Sequence, residues 1–351
     1  MQQSSISVKK PVVTTALMNI FYLTFFCIAG LFFLLESPFG IPRNVFAITY
    51  ASIALEAFSF MLIGSLVSGL VEVFIPKSFI EKVILGNRYG LAAWGGAMGL
   101  IFPVCECAIV PIVRRLFKKG LPFSAGIAFL LAGPIVNPIV IWSTIVAYQG
   151  NWVVVISRTL FGYGIAVTVG IVAGSLFSAK DAIEISDTSA HSKCGCGHDH
   201  DHSHEQDHRP LLLRINDALL HARDDFFDVG RYLIVGTFIA AVVRSSMDVN
   251  IFDQVSGLSF ITIPAMMFLA FILNLCSEAD AFVAVSFRGL VPIAGQLAFM
   301  IFGPMLDVKQ ILMYRSIFNR KFIIFMVTII TVLVFVYSLF FAHFIETAAL
   351  L

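Results

Sequence analysis

The sequence predicts an all-α polytopic membrane protein, and three observations support this fold class. Hydrophobic residues make up 58% of the 351 residues and charged residues only 13%, about half the share that is typical of soluble domains. Apolar stretches of roughly 20 residues, each long enough to cross a bilayer, recur from Leu17 to Phe344. Cysteines, carboxylates and prolines interrupt several of these stretches, which is typical of a transport pathway rather than of a simple anchor.

Nine apolar stretches follow one another along the chain. We interpret the first, Leu17–Leu35, as a retained helix, because it is long for a signal peptide and lacks a clear cleavage site. The others are Phe46–Phe74, Tyr89–Phe117, Phe123–Ala147, Trp152–Phe177, Phe226–Val243, Leu258–Phe287, Pro292–Met305 and Phe322–Phe344. The predicted units are an N-terminal tail with the first span (1–45), a first transmembrane repeat (46–178), a hydrophilic insert (179–223) and a second transmembrane repeat (224–351).

The two transmembrane units resemble each other. The segment Leu121–Asn137 matches Val291–Asp307, with Leu-Pro or Val-Pro at its start and Gly-Pro near its end. The segment Leu55–Gly64 resembles Phe227–Gly236 at nearly the same offset of about 170 residues. Repeats with Gly/Pro-interrupted segments at corresponding places indicate where a transporter binds its substrate.

Charge predicts how the repeats are oriented. If Tyr89–Phe117 and Leu258–Phe287 each enter and leave on one side as broken-helix hairpins, most Lys and Arg residues lie in cytoplasmic segments. These segments include Arg114, Arg115 and Lys309. The prediction is therefore two inverted repeats, with about seven full spans plus two hairpins and with a cytoplasmic insert. The alternative is eight or nine full spans.

The run from Phe102 to Pro111 carries two thiols and a carboxylate, Cys105, Glu106 and Cys107, at membrane depth. Residues at i and i+2 share one side only in an extended segment, and Pro103 and Pro111 favour such an unwound segment. Thiolates prefer soft, thiophilic species. We expect these three side chains to bind the substrate, although small residues at a tight helix crossing, with Glu106 paired to a buried arginine, would also explain them.

The second half has a corresponding polar segment, Asn274–Asp280, which carries Cys276, Glu278 and Asp280. Neighbouring carboxylates can hold a proton, which suits proton coupling, although a surface turn would also be acidic. Two further interruptions, at Pro134–Asn137 and Gly303–Asp307, predict broken helices whose free backbone groups can line a pathway. We add Pro134, Asn137 and Asp307 to the substrate-binding candidates, while noting that Asp307 could instead begin a cytoplasmic loop.

The insert contains a short tract that is rich in histidine and cysteine. Such tracts bind divalent metals, here zinc, copper, nickel or cobalt. We expect the ligands to be Cys194, Cys196, His198, His200, His202, His204 and His208. No other cofactor is expected, and a flexible His-rich linker remains the alternative interpretation.

Three motifs together resemble one family. They are Pro-x-Cys-x-Cys-x-x-x-Pro from Pro103, the Gly-Leu-Pro to Gly-Pro-x-x-Asn-Pro continuation from Gly120, and Gly-Pro-x-x-Asp from Gly303. They resemble the bacterial predicted-permease family that includes the organoarsenical efflux permeases (ArsP-type permeases), from about Glu56 to Tyr314. The resemblance implies an inner-membrane permease whose cysteine-bearing segment is the substrate site.

We interpret the chain as a secondary transporter that moves a thiophilic or metal/metalloid species through a midplane Cys/Glu site. A small sulfur-containing anion is an alternative substrate, and a membrane-anchored metal sensor or chaperone is an alternative function. No phosphate-binding loop or hydrolytic motif indicates an enzyme. The expected partners are the lipid bilayer and a small ion or metalloid, with no nucleic acid, and the sequence leaves a homo-oligomer open.

Overall fold

The protein is all-α in the computed structural model, which describes residues 43–74, 88–102, 104–183, 211–246 and 259–349. Within these ranges there is no β-strand, only two isolated bridges. The helices are α1 (Arg43–Phe74), α2 (Arg88–Ile101), α3 (Glu106–Lys118), α4 (Phe123–Val136), α5 (Pro138–Ala147), α6 (Trp152–Leu176), α7 (Ala179–Ala182), α8 (Leu211–Ser246), α9 (Ser259–Leu273), α10 (Asp280–Ser286), α11 (Ile293–Met305), α12 (Val308–Tyr314) and α13 (Arg320–Ala349).

Six helical segments in the described ranges are long and apolar enough to cross a membrane. They are Asn44–Val71, Phe123–Ala147, Trp152–Leu176, Ile215–Ser245, Ile293–Tyr314 and Arg320–His343. The prediction of an all-α polytopic membrane protein is therefore confirmed. The predicted first span, Leu17–Leu35, lies outside the described residues, and the number of full spans and the inverted repeat stay predictions.

Two of the six segments are broken and lie at the centre of the bundle. Phe123–Ala147 contains α4 and α5, and Ile293–Tyr314 contains α11 and α12; both are 83% buried, against 33% for Trp152–Leu176. Asn137 separates α4 from α5, and its side chain accepts a hydrogen bond from the Ile139 amide at 2.9 Å. The predicted interruptions are therefore present, and they lie where the protein, rather than lipid, surrounds the free backbone groups.

The short helices α2 and α3 both pack against α4, but they run in opposite directions. A Cβ atom on Gly95 would collide with the backbone of Ala125, and one on Gly99 with that of Gly133, so α2 is parallel to α4. Phe117 fills the space at Gly126, and Ile109 fills that at Gly133, so α3 is antiparallel to α4. The chain therefore reverses between α2 and α3, which supports the predicted hairpin.

The two ends of the bundle carry different contacts. At one end, which we call the insert end, Phe318 packs against Phe117 and Phe123 and forms a bridge with Ile183, near the beginning of the insert. At the other end, which we call the distal end, the Tyr148 hydroxyl donates to Gln296 Oε1 at 2.7 Å. Both contacts join the two halves of the chain.

The structure corrects one local prediction. Pro111 lies inside α3 rather than ending it; a proline costs one backbone hydrogen bond, and the burial of Glu106 to Leu116 outweighs that cost here. Helix α8 begins at Leu211, inside the predicted insert 179–223, because its polar first turns extend the apolar helix that follows. Pro103 lies outside the described residues.

Candidate functional site

The candidate site lies where helix interruptions from both halves of the chain come together. Helix α3 begins at Glu106, and α10 begins at Asp280, each after a non-helical segment. Helix α3 packs against α12, and α10 packs against α5, so each short helix contacts the broken helix of the other half. The first residues of α3, α10 and α12 thus bring polar side chains into the interior of an apolar bundle.

Glu106 forms a buried ion pair with Lys309. The Lys309 ammonium lies 3.2 Å from Glu106 Oε1 and 3.6 Å from Asp307 Oδ2. All three side chains are at most 4% exposed. The second oxygen of Glu106 accepts a hydrogen bond from the Ser277 hydroxyl at 3.4 Å. One ammonium group therefore lies between two carboxylates, one from each half, and neutralises only one of the two charges.

Asp307 is held by a dense set of donors. Its Oδ1 accepts from the Gln310 amide at 2.5 Å and so caps α12. The Asn274 side chain, with its nitrogen assigned by the hydrogen-bond network, donates to the two Asp307 oxygens at 2.5 and 3.0 Å. Asn274 has a φ of 52°, an uncommon conformation that asparagine tolerates better than most residues. Asp307 is therefore a buried part of the site, and the interpretation as the start of a surface loop is wrong.

Asp280 lies near a second buried cation, Arg158 of α6. The guanidinium donates to Thr144 Oγ1 at 2.7 Å and to the Ser277 carbonyl at 2.8 Å. Asp280 Oδ2 is 4.0 Å from the guanidinium and has no hydrogen-bond partner among the described residues. Ser277 thus contacts both cross-half pairs, through its hydroxyl and through its carbonyl.

Three free cysteines surround this centre. Cys105, Cys107 and Cys276 are all buried. Cys107 lies in the electrostatic field of Lys309, and Cys105 in that of Glu278. The Cys276 thiol donates to Glu278 Oε2 at 2.7 Å and also interacts with Glu56. In the described ranges no three His, Cys, Asp or Glu side chains are arranged to hold a metal ion.

The sequence-predicted residues fall into three groups. Glu106 and Asp307 meet at Lys309, Cys276 meets Glu278, and Asp280 lies beside Arg158. Asn137 and Pro134 are buried in the broken helix, where Asn137 caps α5. The predicted metal ligands lie outside the described residues; they are Cys194, Cys196, His198, His200, His202, His204 and His208.

Several residues of the site were not predicted. Lys309 was counted among the basic residues of the cytoplasmic segments and not as a site residue, but it is 3% exposed and lies inside the bundle. Arg114 and Arg115 are likewise buried; they pair with Asp228 at 3.0 Å and Asp225 at 2.7 Å. Arg158 had a usable signal, since it is an ionisable residue inside an apolar span.

A cavity of about 510 Å³ lies at the distal end, lined by residues of both halves. Arg288 borders it, and its guanidinium lies 6.0 Å from the centre of the Tyr148 ring. Tyr148 follows the last residue of α5, and burial raises its pKa, so its hydroxyl stays protonated and donates to Gln296. The cavity extends along the first turn of α11, which leads to the interruption at Asp307.

Comparisons with known proteins agree with this architecture. A family described as "Predicted permease" matches residues 43–343. UPF0718 protein YcgR of Bacillus subtilis is 38% identical over 290 residues, which are 83% of this chain and 94% of the relative. A Streptococcus mutans protein named "Putative two-component membrane permease complex subunit" is 37% identical over 290 residues, 83% of this chain and 92% of the relative.

No solved structure matches the chain. The family match nevertheless covers every element of the site, from α1 to the first four-fifths of α13. The chain belongs to this family of predicted permeases.

Proposed function

We propose that the chain is a secondary transporter that moves a thiophilic or metal/metalloid species through the centre formed by Glu106, Asp280 and Asp307. The observation that carries this proposal is the meeting of helix interruptions from both halves around buried charges. Breaking helices and burying charge both cost free energy in a membrane. A membrane anchor gains nothing from broken helices and buried charges, whereas a transport pathway needs them to form an internal binding site.

The thiols support the proposed substrate class. Cys105 and Cys107 flank Glu106 at the beginning of α3, and Cys276 lies in the interruption before α10. Thiolates favour soft cations and thiophilic metalloids over hard cations such as magnesium. Substrate binding would bring together thiols of α3 and of the Cys276 segment, since no metal-holding group is formed among the described residues.

The position of Lys309 supports a site in which the protein's own ammonium group occupies the carboxylates when no substrate is bound. Its ammonium group occupies the position between Glu106 and Asp307 that a cationic substrate would take. A cation would have to displace Lys309, whereas a neutral thiophilic compound would bind the thiols and leave the pair in place. A small sulfur-containing anion is the second candidate substrate, favoured by Arg288 at the distal cavity.

We also propose the cellular arrangement. The chain functions in the inner membrane, with the insert in the cytoplasm and with divalent metal bound to its His/Cys tract. The name of the Streptococcus mutans relative supports a second protein subunit as a partner of this chain, beside the homo-oligomer that the sequence leaves open. A sensor or chaperone in which the insert alone is functional is the rival proposal.

The test is transport by purified protein in proteoliposomes. We compare the uptake of phenylarsine oxide, zinc ion and thiosulfate by wild-type protein and by the Cys105→Ser/Cys107→Ser double variant. The control variant is Cys27→Ser, which removes a cysteine of the predicted first span, Leu17–Leu35, outside the proposed site. We expect wild type and Cys27→Ser to carry one thiophilic probe and the double variant to fall to the background of protein-free vesicles. The reason is that serine keeps the size of cysteine but removes the soft ligand.

Three results would contradict the proposal. Equal transport by the double variant, at equal protein per vesicle, would remove the thiols from the mechanism. Failure of the wild type to carry any of the three probes, with full metal binding by the insert, would favour the sensor. Thiosulfate transport that is unchanged in the double variant would show that the substrate is a small sulfur-containing anion, the second candidate.

A further inference from the structure

We propose that Asp280 carries an exchangeable proton in the substrate-free protein, and that transport releases this proton. This inference rests on the proposed function and names its coupling ion. It starts from one oxygen atom, Asp280 Oδ2, which is buried inside the bundle without a hydrogen-bond partner among the described residues. A buried charged oxygen without a partner costs several kcal/mol, and a proton removes that charge.

Arg158 does not neutralise Asp280 at close range. The guanidinium uses one terminal nitrogen for Thr144 Oγ1 at 2.7 Å and the other for the Ser277 carbonyl at 2.8 Å. Its separation from Asp280 is 4.0 Å, against 2.7 Å for the buried pair of Arg115 and Asp225. The protein therefore forms a close arginine–aspartate pair elsewhere but not here.

The other carboxylates of the centre already have partners. Glu106 is bound by Lys309 and Ser277. Asp307 is bound by Gln310, Asn274 and Lys309. Glu278 accepts from the Cys276 thiol. Asp280 thus has the oxygen that is available for a proton.

Charge balance supports the same position. The described centre holds three carboxylates that are at most 1% exposed, namely Glu106, Asp280 and Asp307, and two buried cations, Arg158 and Lys309. Half-buried Glu278 adds further negative charge. The excess negative charge must be reduced in a low-dielectric interior, and one proton on Asp280 equalises the fully buried charges.

The groups that face Asp280 are few. Arg158 of α6 lies 4.0 Å from it, and it also interacts electrostatically with Glu106 of α3, with Asp307 at the interruption before α12 and with Lys309 in the first turn of α12. Its own segment adds Glu278 and Cys276. The helices packed against α10, which are α5 and α11, contain no titratable side chain. A Cβ atom on Gly303 of α11 would be 3.2 Å from Asp280 Oδ2, so this glycine leaves room at the oxygen.

On release, the O–H bond of the Asp280 carboxyl breaks and the proton passes to water of the pathway. The resulting carboxylate then attracts the Arg158 guanidinium. The guanidinium exchanges its hydrogen bond to the neutral Ser277 carbonyl for an ion pair with the Asp280 carboxylate. That exchange would pull on Ser277 and hence on Glu106. The proton thus connects the two cross-half pairs.

Infrared difference spectroscopy of the reconstituted full-length protein tests the proposal. Protonated carboxyls have a C=O stretching band that carboxylates lack. We expect wild type at neutral pH to show such a band, Asp280→Asn to lose it, Asp280→Glu to shift it, and the exposed control Asp224→Asn to keep it. Addition of phenylarsine oxide should remove the band from wild type.

Each result decides one part. A neutral-pH band that survives in Asp280→Asn, or its absence from wild type, overturns the proton site. If Asp280→Asn does not accumulate, an unshifted band in Asp280→Glu has the same meaning. If the band persists after phenylarsine oxide is added, although that compound binds and is transported, the proposed release of the Asp280 proton is wrong. The proposed function is not affected by this result. Loss of transport alone in the thiol variants concerns only the proposed function.

Discussion

The Lys309 ammonium group stabilises the buried carboxylates of Glu106 and Asp307. It lies within 3.6 Å of a carboxylate from each half of the chain, and it is separated from Glu106 by 203 positions in the sequence. Its local sequence, Asp307-Val308-Lys309-Gln310, is polar enough to be typical of a loop. Only the tertiary contact with Glu106 distinguishes it, so the carboxylates of the site and Arg158 had a signal in the sequence, whereas Lys309 had none.

At the scale of residues, we predict an asymmetry between the two partners of this pair. Lys309→Met leaves two buried carboxylates without their cation, whereas Glu106→Gln leaves Lys309 with Asp307. Breaking a buried pair costs about 3–5 kcal/mol, and we expect Lys309→Met to lie at the upper end of this range and Glu106→Gln below it. The free energy of unfolding in mixed detergent measures this difference.

The double variant Glu106→Gln/Lys309→Met should recover part of the loss, because it removes one of the stranded charges. The exposed pair Arg223–Asp224, with side chains 61% and 49% exposed, is the matched control. Asp224→Asn should change the free energy of unfolding by at most about 1 kcal/mol. Strict additivity of the two buried substitutions would show that Glu106 and Lys309 do not interact.

At the scale of elements, proline and glycine indicated where helices could end, but not which cap or hydrogen bond each interruption would form. The interruptions at Asn137, Asn274 and Asp307 are all present, because a polar residue there supplies a cap or a buried hydrogen bond. Pro111 does not end its helix, since the packing of α3 against α1 and α4 keeps the helix intact. Local sequence therefore indicated candidate breaks, and packing decided among them.

The antiparallel arrangement of α2 and α3 predicts which segments are accessible from the same side of the membrane. Single cysteines at Lys118 and in the insert should react with a membrane-impermeant maleimide from one side, and a cysteine at Leu290 from the other. The physical reason is that α3 ends at the insert end, whereas Leu290 borders the distal cavity. Labelling of intact cells against inverted vesicles measures this.

A variant that already lacks the native cysteines is the background for this experiment, and a single symmetric peak in size-exclusion chromatography confirms that it is folded. Labelling of Lys118→Cys and of the insert from opposite sides would contradict the hairpin. It would instead favour the arrangement with eight or nine full spans.

At the scale of the whole molecule, the two halves are joined by contacts rather than by the insert. Helices α1 and α8 pack along each other, Arg115 pairs with Asp225, and Phe318 packs against Phe117 and Phe123. The fold class followed from composition and apolar length. The pairing of the halves did not, because it depends on contacts between residues more than a hundred positions apart.

We predict that deletion of Cys194–His208 leaves a folded, membrane-inserted protein with weaker divalent metal binding. The contacts above hold the halves together, and a tract without apolar residues contributes little to a hydrophobic core. Size-exclusion chromatography and zinc titration of the purified variant measure both effects. A matched deletion control replaces the tract with Gly/Ser of equal length. Loss of membrane insertion by both variants would show that the tract is structural.

The exchange of partners between the halves has an evolutionary consequence. Glu106 of the first half relies on Lys309 of the second, and Asp280 of the second lies beside Arg158 of the first. At the offset of about 170 residues, the position that corresponds to Lys309 is Ile139, and the one that corresponds to Arg158 is Thr328. Two identical copies of either half could not assemble both pairs. The halves are therefore specialised for each other, since a substitution at Glu106 or Arg158 in the first half changes the surroundings of Lys309 or Asp280 in the second.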